Sequence, residues 1–166
     1  MVARMFELMY EHKGVGLAAN QVDLPYRLFV MNPTGDPAKK DEERVMINPI
    51  LSAPKGSEEG EEGCLSLPQL YADVKRPAKI TLNAYDLDGN EFHGEVEGYF
   101  ARIVQHETDH LDGRLFIDRL PETVMADFRD DLDEMAGNFI GSQNRGTVPN
   151  NAAIAARLAE LERART

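Results

Sequence analysis

Residues 106 to 110 read His106-Glu107-Thr108-Asp109-His110. In a helix, His at i and i+4 stand on one face a turn apart, where both imidazoles can reach one divalent cation. Glu107 would lie beside that cation. The flanking sequence supports the helix: Phe100, Ile103, Val104, Glu107 and Leu111 follow a 3.6-residue rhythm into Gly113, a natural C-cap. This predicts a helix of about four turns with both histidines on its inward flank. A single inward His is more often a hydrogen-bonded core residue. Two of them bracketing an acid favour a metal, because burying a carboxylate without a compensating charge is expensive and a cation between the rings supplies that charge.

A catalytic metal usually takes a third protein ligand and keeps one position for water. The longer motif with a third His after Gly is excluded, since Gly113 fits but the required position is Phe116. Glu122 and Glu134 are downstream carboxylate candidates in an acidic stretch that reads as a solvated helix face. The remaining soft ligand is Cys64, the single cysteine, in Glu62-Gly63-Cys64-Leu65-Ser66-Leu67-Pro68, a strand-like piece entered through Gly and ended by Pro. A lone cysteine is ordinarily a small buried hydrophobe. Beside two imidazoles that need a partner, its thiolate makes a workable set for zinc or ferrous iron, and the ligand types do not choose between them.

Further upstream, Gly14-Val15-Gly16-Leu17-Ala18-Ala19-Asn20-Gln21 is rich in small residues that let backbone approach a ligand closely. It matches G-x-G-x-x-A, but the dinucleotide reading fails on context. Val2, Met5, Phe6 and Met9 place a helix before it, where that fingerprint needs a strand. A phosphate loop also fails, because no Gly-Lys-Ser/Thr follows.

In this order, GVGLAANQ (14–21), EGCLS (62–66) and QHETDHLDG (105–113) resemble the three signature motifs of the peptide deformylase family, hydrolases that remove the N-formyl group from new bacterial polypeptides. The resemblance covers residues 4 to 120 and implies an α+β fold, with antiparallel strands surrounding a central metal-binding helix and a C-terminal helix. It implies Cys64, His106 and His110 as metal ligands, with one ferrous ion per chain that zinc, nickel or cobalt can replace. Metal-bound water would attack the formyl carbon, with Glu107 as general acid/base. Gln21 and the backbone N–H of Leu65 would form the oxyanion hole. By the same resemblance Val15, Gly16 and Gly63 would hydrogen-bond the peptide backbone, and Tyr99, Ile103 and the ring of His106 would wall a pocket for the methionine side chain. For Tyr99 and Ile103 plain core packing is an equal reading. Glu62 is expected either to pair with Arg102, one turn before His106, or to stand with it on the surface. The implied partners are N-formylmethionyl peptides and nascent chains.

Composition sets the outer limits. A chain of 166 residues with 42% hydrophobic content is sized for one domain with a real core. Its net charge of −11 opposes binding to nucleic acid through phosphate contacts. One cysteine excludes an internal disulfide, no apolar run has spanning length and no basic signal segment opens the chain, so a reducing cytoplasm is expected and a membrane is not.

Strands are predicted over residues 27 to 31 and 45 to 51, and a hairpin over 79 to 85 and 91 to 97, turned by Asp88-Gly89-Asn90. The acidic clusters Asp41-Glu42-Glu43 and Glu58-Glu59-Gly60-Glu61-Glu62 read as solvated loops, and residues 114 to 120 as an extended piece. Pro121 then opens an acidic helix. The resulting plan is a catalytic domain over 1–136, a Gly/Pro-punctuated linker over 137–149 and a helical tail over 150–166. Two features depart from the family. Met1 falls within the first helix, whereas members usually carry an extended segment before it, so either the start is misassigned or this member lacks that support. Bacterial relatives can also contact the ribosome through a C-terminal helix. Residues 121 to 166 here carry eight acids and five bases, so their charge does not support that contact.

Overall fold

Leu28, Phe29, Val30 and Met31 are buried at four consecutive positions of one strand, so both faces of the sheet must be covered there. The computed structural model, which describes residues 1–163, shows what covers them. The chain divides into two compact units, Met1–Arg119 and Leu120–Thr166. The first begins with helix α1 (Val2–Glu11) and strands β1 (Gly16–Ala18), β2 (Leu28–Met31) and β3 (Arg44–Lys55). A hairpin of β4 (Glu58–Cys64) and β5 (Leu67–Arg76) follows, then β6 (Lys79–Tyr85), β7 (Glu91–Glu97) and helix α2 (Gly98–Leu111).

Strands β1, β2, β3, β6 and β7 form one antiparallel sheet in that order, and β4 with β5 forms a separate two-stranded sheet. Alternation along β2 sends Phe29 and Met31 to one face, where they pack with Ala101, Ile103 and Val104 of α2. Leu28 and Val30 go to the other face and meet Met5, Phe6 and Met9 of α1. The sheet is thus sandwiched between the two helices. This is the expected α+β class, with antiparallel strands around the motif helix. The predicted hairpin is β6 and β7, and the Asp86 carboxylate closes its turn by accepting from Asp88 N (2.9 Å) and Asn90 N (2.8 Å).

Three local expectations are corrected. The acidic run from Glu58 is strand β4 and not a solvated loop; its partner β5 brings Lys75 and Arg76 opposite Glu59 and Glu58. The piece over 114–120 holds a 3-10 turn, Phe116–Arg119, closed when the Asp118 carboxylate accepts from Leu115 N at 2.8 Å. The third concerns the linker.

In the second unit lie α3 (Glu122–Met125), α4 (Arg129–Asn144) and α5 (Asn151–Arg163). Helix α4 runs through the first eight residues of the predicted 137–149 linker. Gly137 and Gly141 each cost a helix about 1 kcal/mol against Ala, but neither stops it, and the first Pro comes only at 149. The stop is Gly146 at φ +72°, whose N–H is donated to Gln143 O at 3.0 Å. Asn150 caps α5 by accepting from Ala153 N at 2.9 Å. Among the described residues, no helix is long and apolar enough to cross a membrane.

Candidate active site

Helix α2 carries His106 and His110 one turn apart, with ring centroids 5.0 Å from each other and planes at 74°. The end of β4 brings Cys64 to them: its Sγ lies 3.2 Å from His110 Nε2, and one ligand atom from each of the three residues falls within 4.8 Å of the others. The Glu62 carboxylate accepts from His106 Nδ1 at 2.9 Å. That bond fixes the tautomer and leaves Nε2 as the atom able to ligate. At the other end of the helix, Asn20 donates to the His110 carbonyl at 2.6 Å. One thiol and two imidazoles converging on a single point is the donor set of a zinc or ferrous site with an open position. Glu122 and Glu134, the alternative third ligands, are both exposed.

Glu107 lies within the same cluster, buried, and among the described residues its Oε2 has no hydrogen-bond partner. An orphaned buried carboxylate oxygen beside three metal-capable donors fits a centre that holds a cation and a water. Burial lifts the Glu107 carboxyl to about 7, against the pull of His106 and His110. Burial also pushes the Cys64 thiol up, but hydrogen bonds from the two rings outweigh it and bring the thiol down to about 5. His106 behaves in mirror image: burial lowers it, while its bonds to Cys64 and Glu62 raise it to about 10. Both directions favour a thiolate beside a protonated ring, the charge pair with which a bound cation would compete.

A buried ionic network backs the three metal-capable donors. Arg76, 1% exposed, donates to Glu62 Oε1 (2.6 Å) and Oε2 (2.8 Å) and to Asp109 Oδ2 (2.8 Å). Asp109 also accepts from Arg119 Nε at 2.5 Å and from its Nη2. The Glu62 pairing with Arg102 that the sequence offered is present, with Nη1 2.8 Å from Oε1. Its surface alternative is excluded, because Glu62 is buried. Despite that burial, Arg76 and His106 hold Glu62 at about 2.

Burial without partners would make each of these acids costly; the arginines offset it. Arg76 and Asp109 were not singled out from the sequence. A signal was present for Arg76, since Leu70, Val74 and Arg76 share the inward-facing alternation of β5.

The cluster opens into a cleft of about 820 Å³. Gln21 lines it; its Oε1 accepts from Ala18 N at 2.8 Å, which aims Nε2 across the cleft toward Ser66 Oγ at 3.1 Å. Leu65 lies between Cys64 and Ser66 at the turn into β5, 40% exposed. Gly16 packs directly on Glu107: a Cβ there would overlap the carboxyl group, with Cδ at 2.6 Å. Gly63 lies under the ring of Tyr71 in the facing strand, where a Cβ would come within 2.6 Å of Cδ1. Val15 also lines the cleft, and its carbonyl already accepts from Asn32 N at 2.9 Å. Of the two pocket candidates left open, Ile103 is buried in the core against the sheet while touching the cleft, and Tyr99 is exposed at its rim.

Residues 1–125 match the family described as polypeptide deformylase. A peptide deformylase of Rhodopirellula baltica is 48% identical over 164 residues, covering 98% of this chain and 80% of that protein. One from Chlorobium limicola is 44% identical over 144 residues, covering 86% and 78%. The crystal structure of a glycine-to-methionine mutant of Arabidopsis thaliana peptide deformylase 1B superposes with a TM-score of 0.82 at 36% identity, over 90% of this chain and 80% of that one. The chain belongs to the peptide deformylase family of hydrolases.

Proposed function

We propose that this protein removes the N-formyl group from formylmethionyl peptides and nascent chains in the cytoplasm, releasing formate, with Cys64, His106 and His110 holding one ferrous ion. The observation that carries this reading is the convergence of the Cys64 thiol and two imidazoles beside a buried Glu107 carboxylate whose Oε2 has no hydrogen-bond partner among the described residues, in an open cleft. Family membership supports metal dependence, and zinc, nickel or cobalt suit the same donors. A cation held there supplies Lewis acidity, bringing a water's pKa toward neutrality.

Glu107 accepts the proton of the attacking water on its carboxylate and passes it to the amine nitrogen as the C–N bond breaks. A carboxyl lifted toward 7 by burial can both take and return a proton near neutral pH. Gln21, aimed by the Ala18 N–H, turns its amide N–H from Ser66 to the developing oxyanion, and the Leu65 N–H is the second donor. The backbone of Val15, Gly16 and Gly63 lines up the peptide, and Ile103, Tyr99 and the edge of His106 flank the methionine side chain.

The test is release of formate from a formyl-methionyl peptide by iron-loaded protein purified anaerobically. Stoichiometric release supports the reading; an inert protein with full metal occupancy contradicts it. Cys64→Ala is expected to abolish metal retention, whereas a centre completed by a downstream carboxylate would keep its metal.

A further inference from the structure

Strands β4 and β5 pair with each other in their own sheet, so among the described residues no backbone ladder to the five-stranded sheet fixes Cys64 against the helix that carries both histidines. Side chains must do it. Arg102 of α2 is placed for that task, one turn before His106. Its Nη1 donates to Gly60 O (3.2 Å), Val74 O (2.9 Å) and Glu62 Oε1 (2.8 Å), and its Nη2 donates to Glu58 O (3.1 Å). Gly60 and Val74 face each other across the hairpin, so one guanidinium grips both strands at the same level.

Three of the four anchored residues, Glu58, Gly60 and Glu62, precede Cys64 on the same strand at alternate positions. A slide or tilt of β4 therefore carries the sulfur with it. The Glu62 contact steadies the carboxylate that holds His106 Nδ1. A planar, five-donor fork suits this geometry, and a lysine ammonium does not reproduce it. Gly60 leaves room for it: a Cβ there would stand 3.1 Å from Nη2.

We propose that Arg102 is a positioning residue for the metal centre, holding β4 and the Glu62 carboxylate against α2 and so setting the distance of the Cys64 sulfur from the two imidazoles. This rests on the reading of Cys64, His106 and His110 as one metal centre. Arg76 is the less informative member of the network to remove, because its loss strips a partner from two buried acids at once. Arg102 is partly exposed, and Glu62 keeps Arg76 and His106 without it.

The experiment uses the full chain loaded with Co2+, comparing parental protein with Arg102→Gln by chelator competition, by the thiolate-to-cobalt charge-transfer absorption, and by circular dichroism at a temperature where both are folded. The expected result is Co2+ binding weaker by about 10- to 100-fold in the variant, with a shifted or weakened charge-transfer band and unchanged secondary structure. Parental affinity and a parental band, with only a lower melting temperature, would overturn the proposal and leave Arg102 a purely structural clamp. Should Arg102→Gln not fold, Gly60→Ala, which crowds the guanidinium without deleting it, decides by the same two readouts. Weaker binding with an altered band supports the proposal, and unchanged values overturn it. A folded parental protein that binds no Co2+ would remove the metal-centre reading itself, and the proposal with it.

Discussion

Glu62 is the last acid of a run of acids, and its neighbours Glu59 and Glu61 stay in solvent while it is buried against Arg76, Arg102 and His106. Its carboxyl sits at about 2 in the fold, against 4.5 when unperturbed. For an acid with a lowered pKa, the stabilisation is present in full above the unfolded value and is lost as pH falls through the folded one. The shift corresponds to about 3 kcal/mol. The stability difference between parental protein and Glu62→Gln is therefore expected to shrink by about that amount between pH 5 and pH 2, read by denaturant unfolding at each pH. A difference that stays constant over that range contradicts the pairing energetics. The three candidate donors were legible at this scale because His106 and His110 are locked into one helix period and Cys64 is the single thiol. The arginine partners were not, since Arg76 and Arg102 lie 14 and 40 residues from Glu62 and only the folded hairpin brings them together.

At the scale of elements, the motif helix and the β6–β7 hairpin were readable, because each announces itself by local period and by turn chemistry at Asp88-Gly89-Asn90. Strand β4 was hidden, since its charge density masks the alternation, and what pairs it is the backbone ladder to β5 rather than any local signal. Helix α4 was hidden by its glycines, which weaken a helix without ending it. The short strand β1 is the element where packing and chemistry meet most closely. Gly16 sits on it against Glu107, in contact too close for any side chain. Gly16→Ala is expected to push the Glu107 carboxyl out of line and lower kcat/KM for formate release on the order of a hundredfold, while the melting curve shows a folded protein. A folded variant with the parental rate would show that the position of Glu107 is not what limits the reaction.

At the scale of the molecule, the site draws on α1–β1, the β4–β5 hairpin and α2, all within Met1–Arg119. The second unit contributes none of the residues assigned a role here. Leu158→Ser on the exposed side of α5 is accordingly expected to leave kcat/KM on a short formyl-peptide unchanged, and a loss of rate at full metal content would assign that unit a part in the chemistry. The fold class followed from three motifs in register, but the docking of the β4–β5 hairpin on α2 did not, because it is made by the long-range ion pairs Arg76–Asp109 and Arg102–Glu62. What that docking produces is a protected carboxylate next to a metal-capable trio, and its worth is measured by one rate. Formate release from a formyl-methionyl peptide, compared between anaerobically iron-loaded parental protein and Glu107→Ala at equal metal content, is expected to fall at least on the order of a hundredfold in the variant. Equal rates from the two proteins would contradict the assignment of Glu107 and the mechanism built on it.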